Sequence, residues 1–189
     1  MARRTIQFIA DNFYHVYNRG NNKQSIFFEQ ENYLYFLQQF RKYVSDSSVK
    51  TIAYCLIPNH YHFLLQVMSE GHLSRDMKNF LISYVKAINT RFGRVGTLFQ
   101  GEFKAKVVDS DEYLVYLSRY IHTNPVFAHL VDCPADWEFS SMKDYLGLRP
   151  FSFVDCRPVL SHFRSSNDYE GYVQTFTEDE RRKLYGGFF

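Results

Sequence analysis

The stretch VKTIAYCLIPNHYHFLLQV, residues 49–67, decides the fold of this chain. It contains two runs rich in β-branched and aromatic residues, VKTIAYCLI at 49–57 and HYHFLLQV at 60–67, and this composition is typical of strands. Only Pro58 and Asn59 separate the runs, and so short a connection favours antiparallel pairing of the two strands. The sequence therefore predicts a β-hairpin.

The segments around this hairpin alternate between strand and helix. Residues 13–19 and 103–108 show the every-second-residue pattern of strands. Apolar residues recur at three- and four-residue steps at about 30–44 and 73–92, which predicts two amphipathic helices, the first ended by the loop SDSS at 45–48. The order β-α-β-β-α-β predicts an α+β fold of the ferredoxin-like type, an antiparallel sheet with two helices on one face.

An additional helix follows the last predicted strand. Asp109 suits the N-cap of this helix, because Glu112 stands three residues later in a capping-box pattern. Pro125 disfavours helical geometry at the preceding residue, Asn124. The helix is therefore predicted to end at about Thr123.

Basic residues are concentrated in the first part of the chain. Residues 1–110 hold 14 Lys and Arg against 8 Asp and Glu, a net charge of +6, whereas residues 111–189 hold 8 against 12, a net charge of −4. This distribution fits a phosphate-binding face in the first part. Ordinary charge scatter explains it equally well, so charge alone does not choose a partner.

The three cysteines, Cys55, Cys133 and Cys156, form no C-x-x-C pair. They argue against a disulfide framework or a zinc knuckle and suit a reducing compartment. The N-terminal residues lack the apolar run of a signal peptide, and no apolar run is long enough for a membrane helix. We therefore expect a soluble, cytoplasmic protein with no membrane partner.

The sharpest local motif is His60-Tyr61-His62. Side chains two residues apart on a strand share a face and stand about 7 Å apart along it, so the two histidines can hold one cation while Tyr61 turns into the core. Two unrelated histidines on a half-exposed strand explain the bare pair better than a metal site does. A histidine-triad nucleotide hydrolase is a weaker alternative, because it requires a third histidine where the chain has Leu64.

A second pattern lies on the third predicted helix. Tyr113, Tyr116, Tyr120 and Asn124 follow one another at three- and four-residue steps and so share one face. A tyrosine stripe of this kind is more often core than catalytic. The amide oxygen of Asn124, however, could complete a site with two imidazoles, and such a mixed donor set suits Mg²⁺ or Mn²⁺.

Three blocks of the sequence, in this order, resemble the single-tyrosine HUH transposases. They are IPNHYHFLLQV at 57–67, GTLFQGEFKAKVVDSDEYL at 96–114 and LSRYIHTNPV at 117–126. Within that family the chain is most similar to the REP-associated tyrosine transposases and their insertion-sequence relatives. A later block, WEFSSMKDYLG at 137–147, extends the similarity, which spans about residues 10–150.

The resemblance implies a role for each of four residues. His60 and His62 match the histidine pair that binds a divalent cation, and Asn124 matches the third polar ligand. Tyr120 matches the nucleophile, whose attack on phosphorus would give a covalent 5′-phosphotyrosine and a free 3′-hydroxyl. The chain is thereby expected to be an enzyme of DNA transposition that cleaves and rejoins single-stranded DNA beside a hairpin. His122, two positions from Tyr120, faces away and does not suit the role of a base.

Other functions stay open at this stage. A DNA-binding regulator that has lost catalysis is one, although the presence of all four residues counts against it. A replication or conjugation nickase is another, although such nickases usually have longer, helicase-linked chains than these 189 residues. Relatives occur as monomers or as dimers that exchange the tyrosine helix, so a homodimer also stays open.

Basic residues near the blocks are candidates for DNA contacts, although a solvated surface charge explains each of them slightly better. The candidates are Arg19, Lys23, Lys104, Lys106 and Arg119. The chain has Glu102 and Phe127 where the family commonly has Arg, and both departures bear on the strength or sequence preference of DNA binding. We expect residues 1–130 to form the HUH-type catalytic domain and residues 131–189 a helical extension packed on it.

Overall fold

A sheet of four antiparallel strands lies at the centre of residues 7–44 and 48–185, the parts of the chain that the computed structural model describes. The strands are β1 (Phe13–Arg19), β2 (Val49–Ile57), β3 (His60–Val67) and β4 (Lys104–Val108). They pair in the order β2-β3-β1-β4, so β1 and β3 are the inner strands. Ile57 pairs with His60, which confirms the predicted hairpin. Most of the predicted loop at 45–48 lies outside the described residues.

Two helices, α1 (Gln30–Tyr43) and α2 (Leu73–Arg91), cover one face of the sheet. Their apolar stripes meet the sheet through aromatic rings, as where Phe40 of α1 stacks on Phe63 of β3 with ring centroids 4.3 Å apart. Such pairs bury large apolar areas and fix the position of each helix. The predicted ferredoxin-like α+β fold is thus confirmed.

Helix α3 (Asp111–Phe127) covers the opposite face. Its N-cap is Ser110, whose Oγ accepts a hydrogen bond from the backbone N–H of Tyr113 at 3.2 Å. The prediction of Asp109 as the N-cap is therefore wrong. Ser110 has the extended backbone that an N-cap requires, and its short side chain satisfies an N–H of the first turn.

The same helix runs past the proline at which the sequence predicts its end. Pro125 lies inside α3, which ends at Phe127, so the predicted end near Thr123 is also wrong. A proline removes only its own hydrogen bond to the preceding turn, and the helical pattern resumes where the backbone N–H of Ala128 donates to the carbonyl of Asn124 at 2.9 Å. Asn124 consequently stands one regular turn after Tyr120.

The chain after α3 packs back on the same side of the sheet. It forms two single-turn helices, α4 (Met142–Tyr145) and α5 (Arg157–Leu160), and then α6 (Ser166–Gln174) and α7 (Glu178–Tyr185). The helical character predicted at 137–147 and after residue 167 is confirmed for the described residues, whereas the domain boundary at residue 130 stays a prediction. Across the described part of the chain, no helix has both the length and the apolar character needed to cross a bilayer.

A buried hydrogen-bond network joins α3 to this C-terminal part. The imidazole of His122 is fully buried, with Nδ1 at 2.6 Å from the hydroxyl of Tyr169 and Nε2 at 2.7 Å from Oγ of Ser141. The Tyr169 hydroxyl donates in turn to Oγ of Ser118 at 3.0 Å. Because both ring nitrogens have partners, His122 serves the packing of α3 against α6 and does not face the residues around Tyr120.

The substitution Tyr169→Phe should destabilise the protein by about 1–3 kcal/mol, because it leaves a ring nitrogen of His122 buried without its partner. The measurement is urea unfolding, with a lower midpoint and an unchanged slope expected. Tyr35→Phe, at a half-buried tyrosine of α1, is the control and should change stability by less than about 0.5 kcal/mol. Equal midpoints for both variants would contradict this role of the network.

Candidate active site

Strand β3 turns His60 and His62 to the face that α3 covers. Their ring centroids lie 5.0 Å apart, and the two rings are nearly perpendicular. Tyr61 points to the other face, where its ring lies 5.1 Å from that of Phe36 on α1. The alternation of side chains along a strand thus brings the two imidazoles together, as the sequence predicts.

Helix α3 brings Tyr120 and Asn124 to the same place. The ring of Tyr120 lies 5.4 Å from that of His62, and Oδ1 of Asn124 lies 3.2 Å from Nε2 of His60. The four residues that the sequence analysis singles out therefore converge between β3 and α3. All four are buried.

The hydrogen bonds around His60 define which of its nitrogens can bind a cation. Asn59 donates to the carbonyl of Lys23 at 3.3 Å, which turns Oδ1 of Asn59 toward Nδ1 of His60 at 2.7 Å. Burial lowers the pKa of His60 to about 4, so the ring is neutral and carries one proton; when Nδ1 donates it to Asn59, the lone pair is on Nε2. The amide nitrogen of Asn124 donates a hydrogen bond to the carbonyl of Tyr120, so the amide oxygen faces Nε2 of His60.

Two hydrogen-bond acceptors, Nε2 of His60 and Oδ1 of Asn124, thus face each other at 3.2 Å. An imidazole nitrogen and an amide oxygen this close together can bind one cation between them, so the residues fit the divalent metal that the family resemblance implies. No group of three or more His, Cys, Asp or Glu side chains within residues 7–44 and 48–185 is placed to hold a metal. A metal here would therefore depend on the amide oxygen as third donor, which suits Mg²⁺ or Mn²⁺ better than zinc.

Basic side chains of β1 and β4 lie on the same face as the histidines. Arg19 pairs across the strands with His60, and directly paired residues of an antiparallel sheet share a face. Lys104 is paired with Tyr17, next to the histidine row, and its Nζ lies 6.0 Å from the Tyr17 ring centroid. Lys106 follows two residues later, and both lysines are exposed. Three of the five candidate DNA contacts therefore border the site.

The other two candidates differ from these and from each other. Lys23 is exposed in a turn after β1. Arg119 is buried; its guanidinium lies 4.1 Å from the Tyr172 ring centroid and forms an ion pair with Glu180 at 3.3 Å. Because its guanidinium is used to hold the C-terminal helices on α3, Arg119 does not suit a DNA contact. Tyr116, from the predicted stripe, likewise donates to the carbonyl of Glu180 at 2.6 Å and lies apart from the site.

Two residues near the site were not found from the sequence. His15 on β1 places Nε2 at 2.8 Å from Nδ1 of His62. Arg181 on α7 lies over the ring of Phe127 at 4.7 Å from its centroid, and with Arg19 it adds to the burial that lowers the pKa of His60. A positive charge from α7 thus reaches the end of α3. The strand alternation could have indicated the face of His15, but no local pattern marks Arg181.

Comparisons with known proteins identify a family and a solved structure of similar fold. Residues 9–124 match the family of IS200-like transposases, and this region contains the four converging residues but none of α4–α7. A REP-associated tyrosine transposase bound to a REP hairpin has a similar fold, with a TM-score of 0.65 and 18% identity over 82% of this chain and 94% of that one. A proposed transposase from Deinococcus radiodurans R1 gives a TM-score of 0.44 and 12% identity over 65% of this chain and 97% of the other. No curated protein is similar enough in sequence to count as a match.

The metal-free protein should lose stability as the pH falls from about 6.5 to about 4. Burial lowers the pKa of His15 and His122 to about 3, of His60 to about 4 and of His62 well below its ordinary value. In this window the unfolded chain binds protons that the folded chain does not, so the free energy of unfolding rises with pH. The slope should be about 1.4 kcal/mol per pH unit for each such histidine.

Urea unfolding in EDTA between pH 5 and pH 7 measures this slope. His122→Gln should reduce it by the contribution of about one histidine, whereas the same change at the exposed His162 should leave it unchanged. A free energy of unfolding that stays constant across this range would refute the prediction.

Proposed function

The chain belongs to the IS200-like transposase family, and we propose that it cleaves and rejoins single-stranded DNA through a covalent 5′-phosphotyrosine on Tyr120. The observation that carries this proposal is the convergence of the Tyr120 and His62 rings, with centroids 5.4 Å apart, beside Nε2 of His60 and Oδ1 of Asn124, which lie 3.2 Å apart. A nucleophile beside a cation site is the arrangement that phosphodiester cleavage requires.

His60 and His62, through imidazole nitrogens, and Asn124, through its amide oxygen, would hold a divalent cation, Mg²⁺ or Mn²⁺. When bound, the cation would offset the negative charge that develops on the scissile phosphate. The neutral state of the imidazoles supports this assignment, because a protonated ring cannot act as a ligand.

Tyr120 performs the covalent step. Its oxygen forms a bond to phosphorus while the bond from phosphorus to the 3′ oxygen breaks, which leaves a 5′-phosphotyrosine. The phenolic proton passes to water, and the leaving 3′ oxygen takes up a proton from water to become a 3′-hydroxyl. One ester replaces another, so a second 3′-hydroxyl can reverse the step and join new ends. Tyr120 is fully buried in the protein alone, so DNA must displace part of the surrounding cover before a phosphate reaches it. His122 is held by Tyr169 and does not take the phenolic proton.

Single-stranded DNA, beside a hairpin, is the partner that we propose. Arg19, Lys104 and Lys106 supply positive charge along the sheet face that carries the histidines. The ring of Tyr113 below Lys106, with Nζ 5.3 Å from its centroid, adds an aromatic surface of the kind on which bases stack. Glu102 is exposed just before β4 and lowers the local positive charge. The similar fold of a transposase bound to a hairpin supports this partner, and the homodimer stays a prediction.

Incubation with a hairpin-bearing single-stranded oligonucleotide and Mn²⁺ should give a covalent protein–DNA adduct on a denaturing gel. Tyr120→Phe should abolish the adduct, because it removes the attacking oxygen, and should leave DNA binding in place. Tyr116→Phe is the matched control on the same helix and should keep the adduct. Binding without an adduct under several metal and salt conditions would instead support a regulator that has lost catalysis.

Replacing both Lys104 and Lys106 by Ala should weaken binding of single-stranded DNA and flatten its salt dependence. Each lost phosphate contact lowers the slope of log K against log [salt] by about 0.7 for single strands. The control removes the same charge from the other side of the sheet, by Lys78→Ala with Lys86→Ala on α2. Equal slopes for the two double variants, measured by fluorescence anisotropy, would argue against this DNA-binding face.

A further inference from the structure

We infer that His15 is a positioning residue that orients the imidazole of His62 for metal binding. The inference rests on the proposed function, since it concerns the same metal site. His15 lies on β1, the inner strand next to β3, and its side chain points to the same face as His62. Nε2 of His15 lies 2.8 Å from Nδ1 of His62, and both rings are fully buried.

The contact between the two rings constrains which nitrogen of His62 carries the proton. A hydrogen bond between two imidazoles 2.8 Å apart needs one donor and one acceptor, and a histidine must be neutral to bind a metal. If Nδ1 of His62 donates to His15, the lone pair of His62 is on Nε2, which can then act as a ligand. The opposite tautomer would place the proton on Nε2 and prevent metal binding there.

Neighbouring groups pack around the His15 ring and favour its neutral form. The ring of Tyr17 stacks on it with centroids 4.5 Å apart and an interplanar angle of 23°. Lys106 is its direct cross-strand partner on β4, and this positive charge adds to the burial that lowers the pKa of His15. His15 is therefore both fixed in place and kept neutral.

The second proposed ligand is arranged in the same way. Nδ1 of His60 lies 2.7 Å from Oδ1 of Asn59, so each proposed metal-binding imidazole has its Nδ1 engaged by a protein group. Two independent partners, one in the hairpin connection and one on β1, thus direct Nε2 of both rings to be the ligand. This repetition favours orientation of the ligands over a chance contact between buried rings.

The first test measures the tautomer in the wild-type chain. Long-range ¹H–¹⁵N correlation spectra of the metal-free protein at pH 7 distinguish the two neutral forms of each imidazole, with His62→Gln used to assign the signal. We expect His62 with its proton on Nδ1. A proton on Nε2 of His62 would overturn the inference. Because this measurement needs no variant at position 15, it decides the question even if such variants do not fold.

The second test measures affinity for Mn²⁺ alone, by electron paramagnetic resonance of free Mn²⁺ during titration of the protein without DNA. His15→Leu should weaken binding by about 10- to 100-fold. His15→Gln, whose side-chain oxygen can accept near the position of Nε2, should restore most of the affinity. Phe40→Leu, which also loses buried ring packing but on the other face of the sheet, is the control and should bind Mn²⁺ as the wild type does.

The outcomes separate this inference from the proposed function. Wild-type affinity in His15→Leu, with loss of affinity in His60→Ala, would overturn the role of His15 and leave the metal site intact. Absence of Mn²⁺ binding by the wild-type protein would overturn the metal site itself. Equal weakening by His15→Leu and Phe40→Leu would mean that lost packing, and not the hydrogen bond to His62, is responsible.

Discussion

The site depends on one constraint, which is that helices cover β3 on both faces. Since side chains alternate along a strand, Tyr61 packs against α1 and α2, whereas His60 and His62 turn toward α3. Covering this second face removes water from two imidazoles at once. Burial penalises the charged form and keeps both rings neutral, which is the state in which a histidine can bind a metal.

Burial of this kind is costly unless each polar atom has a partner. Around β3 the partners come from separate parts of the chain, because Asn59 meets His60 and His15 meets His62. These contacts engage Nδ1 of each ring, and in the inferred tautomers they leave the lone pair on Nε2. Packing and the proposed chemistry therefore rely on the same interactions.

Helix α3 must be held firmly for its tyrosine to meet the histidines, and the C-terminal part does this. The family match ends at Asn124, yet the outer side of α3 is buried by residues beyond it. His122 is bound by Tyr169 of α6, and Arg119 by Glu180 of α7. Residues outside the matched region thus position residues inside it, and Arg181 brings further positive charge to the same end of the helix.

Local patterns in the sequence determined the strands of the hairpin, the order of elements, the shared face of His60 and His62, and the one-turn spacing of Tyr120 and Asn124. Each of these follows from the period of a strand or a helix, which the chain carries within a few residues. Only the tertiary structure decided that α3 continues through Pro125 to Phe127, whose ring packs against that of Phe176 with centroids 5.8 Å apart. Likewise, the pairing of β1 with β3 brings His15 to His62, which lies 47 residues later in the chain. Arg119 is buried because α6 and α7 fold back over it. Contacts between distant segments leave no period in the sequence, so these features could not be predicted from it.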